Sequence, residues 1–167
     1  EDLRADRLPE FTQIDIEASF IGENDIMDMA EGLIQKVFKD VKNIDVKRPF
    51  PRMDYKEAVE RYGLDKPDLR FDLELVNISE IVKDAGFKVF ASVVEKGGVV
   101  KGINAKGKAT FSRKEIDEFT AYAAIYRAKG LAWVKVKEDG SWQSPISKFF
   151  SDEEKKRIEH ALNMEKG

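Results

Sequence analysis

The order of hydrophobic and polar positions divides the first third of the chain into a strand and a helix. Residues 11–20 alternate, which predicts a strand with Ile14 and Ile16 facing a core and polar side chains on the other face. The apolar positions that follow recur at helical spacing. Asn24 can cap the helix that they predict, over about residues 25–39.

The middle of the chain is marked by residues that interrupt regular structure. Two prolines within residues 47–52 predict an extended connection. Asp54 can then cap a short helix that runs to about Tyr62 and ends at Gly63. A polar loop over residues 61–70 follows, and the hydrophobic pattern restarts after it, which predicts a boundary between two structural units near residue 70.

The second half mixes strand patterns with helix patterns and predicts an α+β fold. Residues 87–94 and 99–105 predict two strands joined at Gly97 and Gly98 as a hairpin. Ser112, with Glu115 three residues later, forms a capping box for a helix to about residue 128. Further segments are predicted as helix over 79–84, strand over 131–137 with a turn at Asp139-Gly140, and helix from Ser151 to about residue 162. Six aromatic residues fall at core spacing and are expected in the core: Phe87, Phe90, Phe111, Phe119, Tyr122 and Tyr126.

Composition limits the chemistry that these elements can support. The chain has 167 residues, a formal net charge of −3, no cysteine and a single histidine, His160. Thiolate and zinc–sulfur sites are therefore excluded, and a catalytic triad or a metal site built on several histidines is disfavoured. No apolar run approaches the roughly 20 residues that span a bilayer, so we expect a cytoplasmic protein without a membrane partner.

Three segments, in this order, carry a family resemblance. Residues 1–7 read EDLRADR and are followed by PEFTQID over 9–15; residues 49–53 read PFPRM, and residues 61–70 read RYGLDKPDLR. The first segment resembles motif 2 of the class II aminoacyl-tRNA synthetases. All three together are similar to the bacterial-type aspartyl-tRNA synthetases.

The resemblance divides the chain into two parts. Residues 1–70 resemble a partial class II catalytic domain, which implies a segment of that family's antiparallel sheet. Residues 71–167 resemble the α+β insertion domain of the family, known as the GAD domain and shared with the B subunit of the tRNA-dependent amidotransferase.

The resemblance also implies roles for single residues. Glu1 matches a glutamate that contacts the adenine amino group, and Phe11 matches an aromatic ring on which adenine stacks, so both are expected in ATP binding. Gln13 and Asp15, two positions apart on the predicted strand, share one face. The family places the substrate aspartate on that face, where a carboxylate suits its ammonium group.

Two arginines of the same loop are candidates for contact with tRNA. The resemblance implies that Arg4 and Arg7 contact phosphate or the tRNA acceptor end, although arginines in a charged loop can equally be solvated. Leu8 departs from the family pattern, which has glutamine there, and leucine cannot supply the hydrogen bond associated with ATP.

The implied activity is that of an aspartate–tRNA ligase. Such an enzyme activates L-aspartate with ATP and Mg²⁺ and transfers it to the 3′ end of tRNA-Asp; tRNA-Asn stays open as a second substrate, and the full-length enzyme is a homodimer. Motif 1, motif 3 and the motif 2 arginine expected just before Glu1 do not occur in the sequence. We therefore expect the isolated chain to be a monomer that is inactive and holds no metal or cofactor. The asparaginyl enzyme shares motif 2 features, but the inserted domain argues against it.

The alternative is a non-catalytic module that contacts tRNA or protein through the insertion domain. Its candidate surface is a run of basic residues, which predicts phosphate contact if the side chains form one patch. The same residues could simply keep a turn soluble. They are Lys96, Lys101, Lys106, Lys108, Arg113 and Lys114.

Overall fold

The computed structural model describes Ala5 and residues 7–167, and these residues form an α+β arrangement of helices and short antiparallel strand pairs. In chain order the elements are α1 (Glu23–Lys42), α2 (Tyr55–Tyr62), β1 (Val76–Asn77), α3 (Ser79–Val82), α4 (Lys88–Glu95), β2 (Lys101–Gly102), α5 (Arg113–Ile125), β3 (Lys135–Val136), β4 (Trp142–Gln143), a 3-10 turn (Ser147–Phe149) and α6 (Asp152–Ala161). Among the described residues, no helix is long and apolar enough to cross a membrane.

Two compact units divide the chain between Arg52 and Met53. The second unit includes α2 because Leu75 N–H donates to Arg61 C=O at 2.7 Å and the Arg61 guanidinium pairs with Glu74. These contacts span the polar loop at which the sequence predicts the boundary between two family domains. That boundary, 1–70 against 71–167, stays a prediction.

The strand predicted over residues 11–20 is wrong for the described chain: residues 11–18 have no regular secondary structure. Ile14 and Ile16 are exposed instead of facing a core, and Phe11 is exposed as well. A strand is held by hydrogen bonds to a neighbouring strand, and no described segment provides them here. Alternating polar and apolar residues were therefore not sufficient to form the predicted strand.

The helix of the first unit begins earlier than predicted and ends at a left-handed residue. Gly22 is the N-cap in place of Asn24, and its N–H donates to the Asp25 carboxylate at 2.8 Å. Asn43, with φ of 53°, closes the C-terminus by donating to Lys39 C=O. The chain then returns along the helix, where the Gln35 amide donates to Val46 C=O at 2.8 Å.

The core of the second unit forms where α3, β2 and α6 meet. Val82 is fully buried at its centre, and Phe87 and Phe90 pack against it with partial exposure. The segment before β2 is fixed to α3 from both sides: Ile78 N–H donates to Val100 C=O at 2.9 Å, and Val100 N–H donates to Ser79 Oγ at 2.8 Å. The buried residues of the cluster are Ile78, Val82, Ala85, Val100, Phe150 and Ile158.

The predicted hairpin over residues 87–105 is wrong. Residues 88–95 form α4, since Phe87, Phe90 and Val94 lie at spacings of three and four and place one side against the core. Gly97, with φ of 77°, ends the helix instead of turning a hairpin. β2 pairs with β1 in the register Val76 to Gly102 and Asn77 to Lys101.

Other predicted elements are confirmed, with shifts at their ends. The helix from Asp54 to Gly63 and the capping box of Ser112 with Glu115 are present, and the helix predicted from Ser151 is α6, which begins with a second capping box, Ser151 with Glu154. α5 ends at Ile125 instead of residue 128, and the predicted strand over 131–137 is reduced to β3, which pairs with β4 around the Gly140 turn. Three aromatics expected in the core are exposed: Phe119, Tyr122 and Tyr126.

Shortening Val82 tests the core of the second unit. Val82→Ala removes two buried methyl groups and leaves a cavity, so we expect about 2–3 kcal/mol less unfolding free energy, measured by urea denaturation of the whole chain. Val89→Ala is the matched control, because Val89 is exposed on α4, and it should change stability by less than about 0.5 kcal/mol. Equal losses in the two variants would contradict this core.

The ion pair of Glu74 gives a pH-dependent test of how α2 is attached. Hydrogen bonding to Arg61 lowers the pKa of the Glu74 carboxyl. A lowered folded-state pKa contributes stability that is fully present above the unfolded-state pKa and lost as the pH falls through the folded one. Glu74→Gln should therefore be less stable than the wild type at pH 7, and the difference should disappear in acid. Glu95→Gln, at an exposed helix end, is the control; a difference that persists unchanged in acid would rule out the charge as its cause.

Candidate active-site segment

The candidate site residues within the described chain lie on one exposed segment before α1. Arg7, Phe11, Gln13 and Asp15 are all exposed. Glu1 and Arg4 lie outside the described residues. Because residues 11–18 adopt no strand, the common face of Gln13 and Asp15 stays a prediction.

The segment presents binding groups without an enclosing pocket among the described residues. No hydrogen bond or ion pair joins Arg7, Phe11, Gln13 and Asp15 to one another in that part of the chain. Exposed carboxylate and amide groups can bind an ammonium ion or a polar ligand, but they bind weakly until a pocket excludes water. A complete site therefore needs further walls.

Two open clefts occur in the second unit, and neither contains a predicted site residue. One, of about 260 Å³, is apolar and is lined by Gly86, Phe87, Lys88, Val89 and Phe149. The other, of about 240 Å³, is lined by Ala109, Thr110, Lys135, Val136, Lys137, Glu138, Gln143 and Gly167. Both fall below the roughly 300–1,000 Å³ of most ligand pockets.

Residues 44–52 follow α1 and run back along it, so that Arg52 lies at the start of this helix. The start of α1 in turn follows the candidate segment in the chain. Its guanidinium donates to the Asn24 side-chain oxygen at 2.6 Å and to an Asp28 carboxylate oxygen at 3.0 Å. Arg48, four residues earlier, donates to Asp28 C=O at 2.7 Å. The residues on either side of Pro49 and Pro51 are therefore fixed along α1.

A buried carboxylate lies between these two arginines, and sequence reasoning missed it. Glu31 on α1 is buried, with Arg48 Nε and Arg52 Nη2 each 3.5 Å from one of its oxygens. In the described chain Glu31 Oε2 makes no hydrogen bond, so the ion pairs are its compensation for lost hydration. The sequence offered only two arginines four residues apart, with no indication of which acidic residue they would meet.

The described residues alone do not identify a site for the magnesium ion that the resemblance implies. They contain no group of three His, Cys, Asp or Glu side chains close enough to hold a metal ion. Magnesium in nucleotide sites is usually held by one or two carboxylates together with phosphates and water. We therefore assign no ligand for it in this part of the chain.

The basic residues predicted to form a patch are mostly paired with acids. Lys101 pairs with Glu60 and Lys106 with Glu165, at 3.1 and 3.0 Å. Within α5, Arg113 pairs with Asp117 and Lys114 with Glu118. Four of the six cations thus have a local counter-charge, which reduces the attraction of this run for a polyanion.

Comparison with known proteins gives a family and several close relatives. The chain matches the family model for class II tRNA synthetases (D, K and N) over residues 1–162. It is 66% identical over 167 residues to the "Aspartate--tRNA(Asp/Asn) ligase" of Desulfatibacillum aliphaticivorans and 59% identical to the protein of the same name in Persephonella marina. Over 168 residues it is 56% identical to the "Aspartate--tRNA ligase" of Oceanobacillus iheyensis.

These matches cover all of this chain but only 28% of each relative. The family assignment does not depend on that share, because the family model alone accounts for nearly every residue of the chain. The chain belongs to the class II tRNA synthetases of the D, K and N group.

Proposed function

We propose that this chain is part of an aspartate–tRNA ligase, which activates L-aspartate with ATP and esterifies it to the 3′ end of tRNA-Asp. The observation that carries the proposal is the 66% identity, over the whole chain, to a relative with that name. The name of that relative also includes tRNA-Asn, so tRNA-Asn is a second candidate substrate.

The candidate segment supplies the substrate contacts in this proposal. Phe11 stacks against adenine, and Glu1 accepts a hydrogen bond from the adenine amino group. Gln13 and Asp15 bind the substrate aspartate, with the Asp15 carboxylate facing its ammonium group. Arg4 and Arg7 contact the tRNA acceptor end. The exposure of the four described residues is compatible with these roles, because binding groups must be reachable by the ligand.

The reaction needs orientation more than covalent help from the protein. A carboxylate oxygen of the substrate attacks the α-phosphorus of ATP, and pyrophosphate leaves to give the aspartyl-adenylate. A ribose hydroxyl of the tRNA 3′ adenosine then attacks the activated carbonyl and releases AMP. Holding the reactants in line and stabilising charge on the phosphate lower the barrier. Bound with ATP, Mg²⁺ would supply further charge stabilisation.

In this proposal residues 71–167, which form most of the second unit, correspond to the insertion domain, and residues 1–70 belong to the catalytic domain. The support is the GAD resemblance of residues 71–167 together with a buried core in the second unit that is made within that unit. The ion pair of Arg61 with Glu74 attaches α2 to the second unit. The division between the two structural units therefore lies earlier in the chain than the proposed family boundary.

The isolated chain should be unable to activate aspartate. It corresponds to 28% of its relatives, and its candidate segment has no enclosing walls among the described residues, so neither orientation nor charge stabilisation is available. Aspartate-dependent exchange of pyrophosphate into ATP is the measurement. Exchange above a blank without protein would contradict this expectation.

In the full-length enzyme, Asp15→Asn should raise the KM for aspartate. Loss of a charged hydrogen-bond partner costs about 1.5–3 kcal/mol, which corresponds to a rise of about 10- to 150-fold. Pyrophosphate exchange at varied aspartate concentration measures it. Glu23→Gln, another exposed acid of the same unit at the start of α1, is the matched control and should leave KM unchanged. An unaltered KM in Asp15→Asn would refute the proposed role of Asp15.

A further inference from the structure

The C-terminal end of α5 exposes a group of large side chains that the core does not use. Tyr122, Ile125 and Tyr126 are 61%, 72% and 71% exposed. The two tyrosine rings touch edge to face, with centroids 5.4 Å apart and planes at 62°. Their hydroxyls are 3.4 Å apart, so the two side chains form one continuous aromatic surface.

The stretch that carries this surface is cationic, although Glu118 lies one turn before Tyr122 on α5, where it pairs with Lys114. Residues 119–137 contain four cationic side chains and no acidic one. Lys135 is half-buried and donates to Phe111 C=O, whereas Arg127 and Lys129 are exposed and make no ion pair within the described part of the chain. The other end of α5 differs, because Arg113 and Lys114 there are paired with acids four residues later.

The backbone at Arg127 adopts a conformation that favours glycine. α5 ends with Arg127 N–H donating to Ala124 C=O at 2.9 Å and Ala128 N–H donating to Ala123 C=O at 3.2 Å. Arg127 occupies the left-handed position of this motif, with φ of 70°. Glycine is the usual residue there, since a side chain is disfavoured at positive φ. Stability of the helix end therefore does not explain an arginine at this position.

We propose that this surface, which consists of Tyr122, Ile125, Tyr126, Arg127 and Lys129, binds unpaired nucleotides of RNA. Aromatic side chains provide stacking faces for unstacked bases, and neighbouring cations contact the phosphates. The exposed cations Arg127 and Lys129 directly after the two tyrosines favour a polyanion over a protein segment as the occupant. This proposal rests on the proposed function in one respect, because it takes tRNA as the natural RNA. Binding of nucleotides by the surface does not depend on the proposed function.

Binding of a fluorescently labelled, unstructured 12-nucleotide RNA to the whole 167-residue chain tests this surface. Fluorescence anisotropy at about 50 mM and about 200 mM salt should show binding that weakens with salt. The double variant Tyr122→Leu, Tyr126→Leu keeps apolar side chains but removes both stacking faces. It should weaken binding by at least about tenfold, as stacking on one base contributes a factor of about 5 to 150. Tyr55→Leu, which removes a tyrosine that is 73% exposed on α2, should have no effect.

Arg127→Gly separates a binding role from a structural one. The variant should weaken RNA binding and reduce the salt slope by about one phosphate contact. Its melting temperature should stay equal or rise, because glycine relieves the left-handed conformation. Arg113→Ala, at the paired end of α5, should leave binding unchanged. A lower melting temperature with unaltered RNA binding would assign Arg127 to the helix end instead.

Three results would overturn the proposal: no RNA binding by the wild-type chain at low salt, equal binding by the double tyrosine variant, or a preference for duplex over unpaired RNA. The first would leave a protein segment as the occupant. Aspartate-dependent pyrophosphate exchange by the full-length enzyme tests the ligase proposal separately. Either proposal can therefore fail without the other.

Discussion

The second unit depends on how one stretch of backbone is held in its core. Val100 is buried beside Val82, and its backbone N–H and C=O are both satisfied by the start of α3, through Ser79 Oγ and Ile78 N–H. Buried backbone groups without partners are costly, so this exchange allows the chain to enter the core. It also fixes the register of β2 against β1, since the pairing of Asn77 with Lys101 continues directly from it.

The elements that the sequence predicted correctly are those whose signals are local. Ser112 and Ser151 each cap a helix by a bond to a residue three positions away, and Gly63 ends α2 within a single turn. Such contacts form within one turn of chain and are readable from a short window. The predicted α+β class is confirmed because these locally specified elements are present in the structure.

The failures concern partners that are distant in sequence. Residues 87–94 contain Phe and Val residues that suit either a strand or a buried helix, and only packing against Val82 and Phe150 selects the helix. Residues 11–20 alternate as a strand does, but alternation cannot provide a neighbouring strand. The same limit applies to charge: lysines 101 and 106 look unpaired in sequence, yet Glu60 and Glu165 neutralise them from distant positions.

The candidate site shows what each kind of information contributes. Side-chain chemistry at Phe11, Gln13 and Asp15 came from motif resemblance, and the family was then confirmed by the match over residues 1–162. No pattern predicted Glu31, because its partners Arg48 and Arg52 become neighbours only after the chain reverses at Asn43. The binding roles of Phe11, Gln13 and Asp15 therefore stay predictions, whereas the ion pairs of Glu31 could be found only in the structure.

The two arginines that pair with Glu31 have other partners, whereas Glu31 depends on them, and this difference restricts how the protein can evolve. Each arginine keeps other partners, Asp28 C=O for Arg48 and the side chains of Asn24 and Asp28 for Arg52. Glu31 is buried and relies on the two arginines. Loss of both would leave a charge without compensation, which costs far more than loss of an exposed one. A lineage that loses both arginines must therefore neutralise the glutamate before the second arginine is lost, so the order of substitutions at these three positions is constrained.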